Sequence, residues 1–248
     1  MSAAVSKSES PEVRFVPAGE GRYFDLFLAL FVGLLLISNV AASKLISLGG
    51  NTFSLVFDGG AVTFPLTYIL GDVLSEVYGW RGARRAVFTG FAVSILGSVI
   101  FWLVAVAPAG PGGIHDAAFA QIFGFVPRIV LASLAGYLLG QLLNALVLVR
   151  LKGRTGERLL WVRMVVSTLV GELLDTLVFC TIAFGGVIGT SDFINYVVTG
   201  YVYKCALEIV LSPLSMLVIG VVKAREDRYV PTGTSASAAA EGERTEEQ

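Results

Sequence analysis

Charged side chains are scarce in this sequence. They make up 15% of the 248 residues, whereas hydrophobic residues make up 55%. Soluble domains carry about 25% charged residues, and the mean hydropathy of this chain is +0.76. The composition therefore predicts an integral membrane protein. The net charge of −1 argues against nucleic acid as a partner, because phosphate binding needs a basic face.

Reactive side chains are also few, with one histidine and two cysteines in the whole chain. Cys180 and Cys205 lie inside apolar segments, and two such thiols do not make a disulfide framework. The glycine-rich stretches PAGPGG and AFGGVIG lack the Lys-Ser/Thr pair of a phosphate-binding loop. The sequence therefore indicates no cofactor, no metal site and no site for nucleotide hydrolysis.

Long apolar segments define the expected fold class, because a helix of about 20 residues crosses the hydrocarbon layer. We predict an all-α integral membrane protein, a bundle of six transmembrane helices in the transporter domain 23–225. A cytoplasmic tail at 1–22 and a disordered cytoplasmic tail at 226–248 flank it. The apolar FSLVF before the short second span is expected to extend that span or to form a re-entrant piece. The predicted spans are 24–47, 64–78, 86–106, 129–149, 162–184 and 196–222.

Lysine and arginine residues predict the orientation. They cluster in the N-terminal tail, between the second and third spans, between the fourth and fifth, and after the sixth. Arg128 is the one candidate for an outer loop. The positive-inside rule then places both termini in the cytoplasm. The segment 107–127 closes with an apolar periodic piece, which is typical of an interfacial helix or cap on the outer face.

A small set of polar residues remains inside the predicted spans. Charge at membrane depth costs a few kcal/mol, and it persists mainly where it faces protein partners or water. These side chains are therefore the candidates for a functional site. The charged members are Lys44, Asp72, Glu76, Glu172, Asp175, Lys204 and Glu208, and their uncharged companions are Asn39, Gln141 and Asn144.

Purely structural roles remain open for the same residues. Glu172 and Asp175 could pair with Lys204 or Arg128 to hold helices together. Lys204 and Glu208 are four residues apart and could neutralise each other along one helix. Asp72 and Glu76 could instead be solvated acids that pair with the arginines just beyond them, an arrangement worth about 0–1 kcal/mol.

Two stretches in consecutive spans match each other. The fourth span contains QLLNALV from Gln141, and the fifth contains ELLDTLV from Glu172, so amides in one replace carboxylates in the other. The polar residues of each stretch are three apart and share one helix face. Antiparallel neighbours could bring both patches around a shared cavity, as in transporters built from repeats. The alternative is chance similarity between two leucine-rich helices.

Several stretches together resemble the queuosine precursor transporter family, also known as the vitamin uptake transporters. They are NVAASK, FPLTYILGDVLSEVYGWRGAR, PRIVLASLAGYLLGQLLNALVLVRLK, WVRMVVSTLVGELLDTLVF and YVYKCALEIVLSP, and the resemblance runs from residue 24 to residue 222. Its most specific part is the pattern P-x-x-Y-x-x-x-D-x-x-x-E-x-Y-G. In this chain that pattern is formed by Pro65, Tyr68, Asp72, Glu76, Tyr78 and Gly79.

The resemblance implies a six-span inner-membrane carrier. Members of the family import 7-deazaguanine bases, namely 7-cyano-7-deazaguanine and its 7-aminomethyl relative, for salvage into the queuosine of transfer RNA. Two departures from the family pattern stand out. Glu172 occupies a position where the family usually has glutamine, and Asn144 occupies one where aspartate is common. Ligand preference could therefore differ within the class.

A deazaguanine presents two adjacent donors, the ring N1–H and the exocyclic amine, beside one carbonyl acceptor. One carboxylate can take both donors, an aromatic ring can stack on the base, and an amide or lysine can bind the carbonyl. The expected partners are thus a purine-like small molecule and the lipid bilayer, without nucleic acid, and a homo-oligomer is compatible with the sequence. The predicted substrate-binding set is Asn39, Lys44, Tyr68, Asp72, Glu76, Gln141, Asn144, Glu172, Asp175, Lys204 and Glu208.

Other functions were weighed against this one. The chain could transport another small vitamin or nucleobase-like molecule, or be the substrate-binding subunit of an ATP-driven uptake complex. An intramembrane lipid-modifying enzyme is less favoured, because the spans contain no histidine, no Ser/His set and no dense acidic motif. The sequence therefore predicts a transporter rather than an enzyme.

Overall fold

The structure is a computed structural model, and it describes residues 21–50, 53–110, 115–155 and 160–226. Nearly all of both predicted tails lie outside these ranges. Helices dominate the described chain, with one pair of strands near its start. The elements are α1 (Phe24–Ala41), β1 (Leu45–Gly50), β2 (Phe53–Asp58), a short 3-10 helix (Gly59–Val62), α2 (Phe64–Val106), α3 (Asp116–Phe123), α4 (Val126–Thr155), α5 (Leu160–Phe184) and α6 (Thr190–Arg225).

Five of the described helical segments are long and apolar enough to cross a membrane. Their outward faces are apolar, as Ile209 and Val106 illustrate with exposed fractions of 75% and 60%. A soluble domain rarely presents a continuous apolar surface of this kind, whereas lipid tails match it. The prediction of a mainly helical membrane fold is therefore confirmed in this form.

Helix α2 contains both the second and the third predicted spans, and it is broken at Gly79. There the backbone has φ 67° and ψ −173°, a conformation that glycine adopts readily. A Cβ added to Gly82 would lie 3.5 Å from the carbonyl oxygen of Leu74. In an unbroken helix, residues eight apart are separated by about 12 Å. The chain therefore folds back on itself at Gly79, between α2a (residues 64–78) and α2b (residues 80–106).

Contacts with α1 give the directions of these two halves. The last turn of α2a, including Val77 and Tyr78, packs in one buried cluster with Phe24 at the start of α1. Moving along α1, Leu35 faces Gly90, and Asn39 donates a hydrogen bond to Ser94 at 3.3 Å. Helix α2a therefore runs antiparallel to α1, whereas α2b runs parallel to it.

The segment between α1 and α2 differs from the expectation of an all-α fold. Strands β1 and β2 form an antiparallel hairpin in which Leu45 pairs with Asp58 and Leu48 pairs with Leu55. The FSLVF stretch is thus a strand and not an extension of the next helix. Its aromatic and β-branched residues favour a strand. The side chain of Asn195 on α6 anchors β2, accepting from the Val56 N–H at 3.0 Å and donating to the Ser54 carbonyl at 2.7 Å.

The segment predicted as an interfacial helix contains α3. The Phe123 ring of α3 packs against the ring of Phe119 and against that of Phe101 at the end of α2b, each at a centroid distance of 4.4 Å. Just after α3, Arg128 donates hydrogen bonds to the carbonyl oxygens of Ile182 and Gly185. It thereby satisfies orphan carbonyls at the C-terminal end of α5, and it is not a partner of the intramembrane acids.

Helices α4 and α5 are antiparallel and packed through glycine. A Cβ on Gly140 would lie 2.9 Å from the Asp175 Cβ and 2.9 Å from the Gly171 oxygen. A Cβ on Gly171 would lie 2.9 Å from the Asn144 Cβ and 2.9 Å from the Gly140 oxygen. The two sets of distances agree, so a local two-fold rotation exchanges the matching sequence stretches of α4 and α5. Small residues at such positions let helix backbones approach closely in a membrane.

Candidate functional site

The centre of the candidate site is Lys204 on α6, which faces two acids on α5. Its ammonium forms an ion pair and a hydrogen bond with Asp175, and it lies 3.6 Å from Glu172 Oε2. The side chains of Lys204 and Asp175 are each 22% exposed, and that of Glu172 is 29% exposed. Each therefore keeps part of its surface toward open space, where a ligand could contact it. We call these three residues the lysine cluster.

Local sequence explains how the lysine cluster forms. Glu172 and Asp175 are three residues apart and share a face of α5, so one amine can reach both carboxylates. Helix α2a begins beside them, and the Lys204 ammonium lies 5.7 Å from the ring centroid of Phe64. This distance is within the range of a cation–π contact. The cluster is thus built from α2a, α5 and α6.

A third acid approaches the lysine cluster from the hairpin. Asp58, at the end of β2, accepts hydrogen bonds from the Tyr196 hydroxyl and from the Gly60 N–H, the latter at 2.7 Å. Burial raises the pKa of Asp58, and this rise is opposed by those two hydrogen bonds and by the charge of Lys204. Three carboxyl groups thus lie near a single cation, and burial disfavours the charged form of Asp58.

Near the same region, the 3-10 helix and strand β2 are joined to α6. The Tyr203 hydroxyl donates to the Ala61 carbonyl at 2.9 Å. Its ring is stacked on Phe57, with an interplanar angle of 7° and a centroid distance of 6.1 Å. Together with the Asn195 hydrogen bonds, these contacts hold the hairpin against one end of the cluster.

Toward the other end, α2a and α6 place further polar residues opposite each other. The Tyr68 hydroxyl is directed at the Glu208 carboxylate. Glu76 pairs with Lys223, whose Nζ lies 3.6 Å from Glu76 Oε2, and the Glu76 side chain is 63% exposed. Lys204 and Glu208 therefore do not neutralise each other along α6. Glu76 pairs with a lysine of α6 rather than with the neighbouring arginines.

Helix α4 contributes amides. The two-fold rotation that exchanges Gly140 with Gly171 also exchanges Gln141 with Glu172, so Gln141 lies on the same side of the α4–α5 pair as Glu172. Asn144 packs its Cβ against Gly171, and among the described residues its Oδ1 has no hydrogen-bond partner. Gln141 is exposed. Both amides thus border the α5 acids without being bonded to them.

Two predicted site residues lie apart from the lysine cluster. Asn39 is 3% exposed and links three helices through hydrogen bonds to Ser94 and, at 2.9 Å, from Ser133. Lys44 has an exposed side chain between α1 and β1. The geometry therefore gives Asn39 a role in helix packing and does not bring Lys44 into the cluster.

Some residues of the site were not predicted. Asp58 and Tyr196 went unnoticed because Asp58 lies outside every predicted span, and a tyrosine among apolar residues is unremarkable in a membrane helix. A signal did exist in the pattern F-D-G-G directly before a span, since an aspartate followed by glycines is typical of a turn or cap. Among the described residues, no group of three His, Cys, Asp or Glu residues could hold a metal ion.

Comparison with known proteins places this arrangement in a family. Residues 58–218, more than half of the chain, match a family described as "putative vitamin uptake transporter". The chain belongs to this family. The matched region of this vitamin uptake transporter family member starts at Asp58 and contains the whole lysine cluster. No solved structure matches the chain.

Individual relatives agree with the family match. A "Probable queuosine precursor transporter" of Bacillus subtilis is 30% identical over 177 residues, covering 71% of this chain and 76% of the relative. A protein of the same name in Haemophilus influenzae is 30% identical over 196 residues, covering 71% and 79%. The "Queuosine precursor transporter" of Escherichia coli is 31% identical over 163 residues, covering 66% and 70%. The family and these relatives are transporters, not enzymes, and the chain is a multi-pass membrane protein of this class.

Proposed function

We propose that this protein imports 7-deazaguanine precursors of queuosine, 7-cyano-7-deazaguanine or 7-aminomethyl-7-deazaguanine, across the inner membrane for salvage into transfer RNA. The names of three relatives support this substrate class. In the structure, the observation that best supports the proposal is a carboxylate acceptor beside a lysine donor. Within the described chain, Glu172 Oε2 has no hydrogen-bond partner, although it lies 3.6 Å from the Lys204 ammonium.

This arrangement suits the edge of a guanine-like base. Asp175 is already bonded to Lys204, so the free acceptor of the cluster is Glu172. A carboxylate can accept from the ring N1–H and the exocyclic amine together. The base carbonyl then lies toward Lys204, and Tyr68 or Phe64 offers a ring on which the base can stack. Glu172 is therefore the residue that reads the base in this proposal.

The proposed transmembrane arrangement has six spans with both termini in the cytoplasm. The reversal at Gly79 supports it, because α2a and α2b run in opposite directions and each is long enough to cross most of the hydrocarbon layer. The arginines beside the reversal, Arg81, Arg84 and Arg85, support a cytoplasmic position for this turn.

Single cysteines test this topology. In a variant with both native cysteines replaced, Gly110→Cys should react with an impermeant thiol reagent in intact cells, whereas Arg84→Cys should react only after lysis. Both positions are exposed in the structure. Reaction of Arg84→Cys from outside would reverse the assignment.

Restoration of queuosine in transfer RNA by an added base tests the function itself. The protein is expressed in cells that neither make queuosine precursors nor have their own carrier, and queuosine in transfer RNA is measured after each base is added. We expect the wild-type protein to restore queuosine, and Glu172→Ala and Asp175→Ala to abolish this at normal expression. Glu172→Gln, which restores the more usual family residue, should shift the preference between the two bases. Asp192→Asn, an exposed acid at the start of α6, is the matched control.

Two outcomes would contradict the proposal. If the wild-type protein is expressed but queuosine does not increase, the proposed substrate class is wrong. The family description would then favour a vitamin as substrate. Normal uptake by both alanine variants would make the acids of α5 structural.

A further inference from the structure

A polar stripe runs along α2a from the lysine cluster to the Gly79 reversal. The stripe follows Phe64, and its polar members are Tyr68, Asp72 and Glu76; these four residues are spaced four apart and lie along one side of the helix. Because α2a and α6 run parallel, each successive residue meets a residue further along α6. The facing residues are Lys204, Glu208, Ser215 and Lys223, in that order.

Burial decreases along the polar stripe. Tyr68 and Asp72 are partly buried, and the Glu76 side chain is 63% exposed next to Lys223. The stripe therefore connects the interior of the bundle with the surface near the arginine-rich turn. Its titratable groups follow one another at intervals of about one helical turn.

Two acids near the middle of the stripe, Asp72 on α2a and Glu208 on the facing part of α6, lack a cation. Glu208 faces Tyr68, Asp72 and Glu172, and it is near Cys205 on its own helix. Asp72 faces Glu76 and Ser215. No ion pair among the described residues includes Asp72 or Glu208, since Lys204 pairs with the acids of α5. An ionised carboxylate inside a membrane is costly unless a charge or a proton compensates it.

Ser215 provides an independent sign that the stripe is incomplete without a further hydrogen-bonding species. It is 2% exposed, and its hydroxyl faces the Asp72 carboxylate. It nevertheless makes no hydrogen bond of normal geometry with any described residue. A buried hydroxyl in this state has a donor and acceptor available, and such a group can serve a carboxyl that changes between its protonated and ionised forms.

We propose that the polar stripe passes protons between the lysine cluster and the cytoplasm, so that base uptake is driven by the proton gradient. Glu208 takes up a proton from the outer solution when the base binds, and this proton moves to the Asp72 carboxylate, with the Tyr68 hydroxyl between them. It then moves to Glu76 and leaves to the inner solution. Each step deprotonates one carboxylic acid and protonates the next carboxylate, so no other reactant is required. This inference rests on the proposed function, because the protons accompany the transported base.

A cationic substituent on the base could also compensate these acids. The structure favours the proton, because the stripe continues to the exposed Glu76 and consists of hydroxyl and carboxyl groups suited to proton transfer. A cationic substituent would need to contact only the acids in the buried middle of the stripe. The neutral 7-cyano base separates the two cases, since only proton coupling can drive its accumulation.

The test uses full-length protein in sealed vesicles with labelled 7-cyano-7-deazaguanine as the probe. Counterflow, the exchange of internal for external base without a pH gradient, measures transport alone. Accumulation under an imposed gradient of one pH unit measures coupling, and one proton per base supports about tenfold accumulation. The sequence placed Asp72 and Glu208 in the predicted binding set, whereas in the structure they lie outside the lysine cluster proposed to read the base. We therefore expect Asp72→Asn and Glu208→Gln to keep counterflow but to lose accumulation down to simple equilibration. The control Asp192→Asn should retain both.

Each outcome decides between the two claims. Counterflow by the wild-type protein without accumulation would overturn the coupling and leave the proposed function standing. Absence of wild-type counterflow would overturn both. Accumulation by Asp72→Asn and Glu208→Gln at the wild-type level would also overturn the role of the stripe. Because a variant that misfolds loses counterflow as well, Glu76→Gln at the exposed end provides a third position, where slower accumulation with normal counterflow is expected.

Discussion

The antiparallel pair α4–α5 and the parallel pair α2a–α6 meet at the lysine cluster, and they are packed in opposite ways. Helices α4 and α5 approach through Gly140 and Gly171, with the backbone of each helix against the other. Helices α2a and α6 face each other through long polar side chains, including Glu76 and Lys223. The first pair leaves no room for movement, whereas the second is joined by contacts that water can replace.

This difference indicates which part of the molecule moves during transport. Close packing through glycine is lost if the helices separate, so α4 and α5 are expected to stay together. The α2a–α6 contact depends on an exposed ion pair at one end, which contributes at most about 1 kcal/mol. We therefore expect α2a and α6 to separate at the end that contains Glu76, while the symmetric α4–α5 pair holds the acids that we propose to bind the base.

The largest effect on stability is expected at Lys204. Lys204→Ala leaves Asp175 and Glu172 together without a cation. Breaking a fully buried pair in this way costs about 3–5 kcal/mol, and this partly buried cluster should approach the lower end of that range. Lys223→Ala is the matched control, since its partner Glu76 is 63% exposed, and it should cost less than about 1 kcal/mol. Thermal unfolding of the purified protein, followed by tryptophan fluorescence, measures both. Equal melting temperatures of the two variants would contradict the claim that Lys204 stabilises the fold more than Lys223 does.

An intermediate effect is expected from a single methyl group in the α4–α5 contact. In Gly140→Ala the new Cβ would lie 2.9 Å from the Asp175 Cβ and from the Gly171 oxygen, and such overpacking costs about 1–3 kcal/mol. Gly71→Ala in α2a is the control, because its Cβ would meet no atom within 4 Å. It should stabilise the helix by about 0.5–1 kcal/mol. Opposite shifts in melting temperature are expected, and shifts of the same sign would refute the difference in packing.

Sequence reasoning succeeded where a residue type has few alternatives in a membrane. The intramembrane acids and Lys204 stood out because charge at that depth is rare, and the repeated stretch in α4 and α5 predicted two polar patches on neighbouring helices. The structure now shows a local two-fold relation between Gly140 and Gly171 that brings these patches to one side.

Other features could not be predicted from local pattern. The pairing of Lys204 with α5 rather than with Glu208 depends on how α6 is rotated against its neighbours, and spacing along one helix does not determine that rotation. The hairpin was missed because FSLVF is as apolar as a span, and because Asn195, which anchors it, is distant in the sequence. Asn39 was grouped with the site on polarity alone, whereas its hydrogen bonds assign it to helix packing.

The smallest stability effect is expected at the exposed end of the α2a–α6 contact. Glu76→Gln removes the charge that faces Lys223. The fall in melting temperature should correspond to a loss of less than about 1 kcal/mol in the free energy of unfolding. The same variant should still slow gradient-driven accumulation of 7-cyano-7-deazaguanine. A large loss of stability, comparable to that of Lys204→Ala, would show that this end of the contact is as tightly held as the cluster.

The most direct test of this account is to lock the α2a–α6 contact and measure transport. Glu76→Cys and Lys223→Cys, in a variant without the native cysteines, place thiols at the two positions whose Oε2 and Nζ atoms now lie 3.6 Å apart. They are joined by a short bifunctional reagent that a reductant cleaves, and counterflow of labelled 7-cyano-7-deazaguanine is measured before and after cleavage, with the single-cysteine variants as controls. The account predicts that counterflow stops on cross-linking and returns on cleavage. Undiminished counterflow by the cross-linked protein would contradict it.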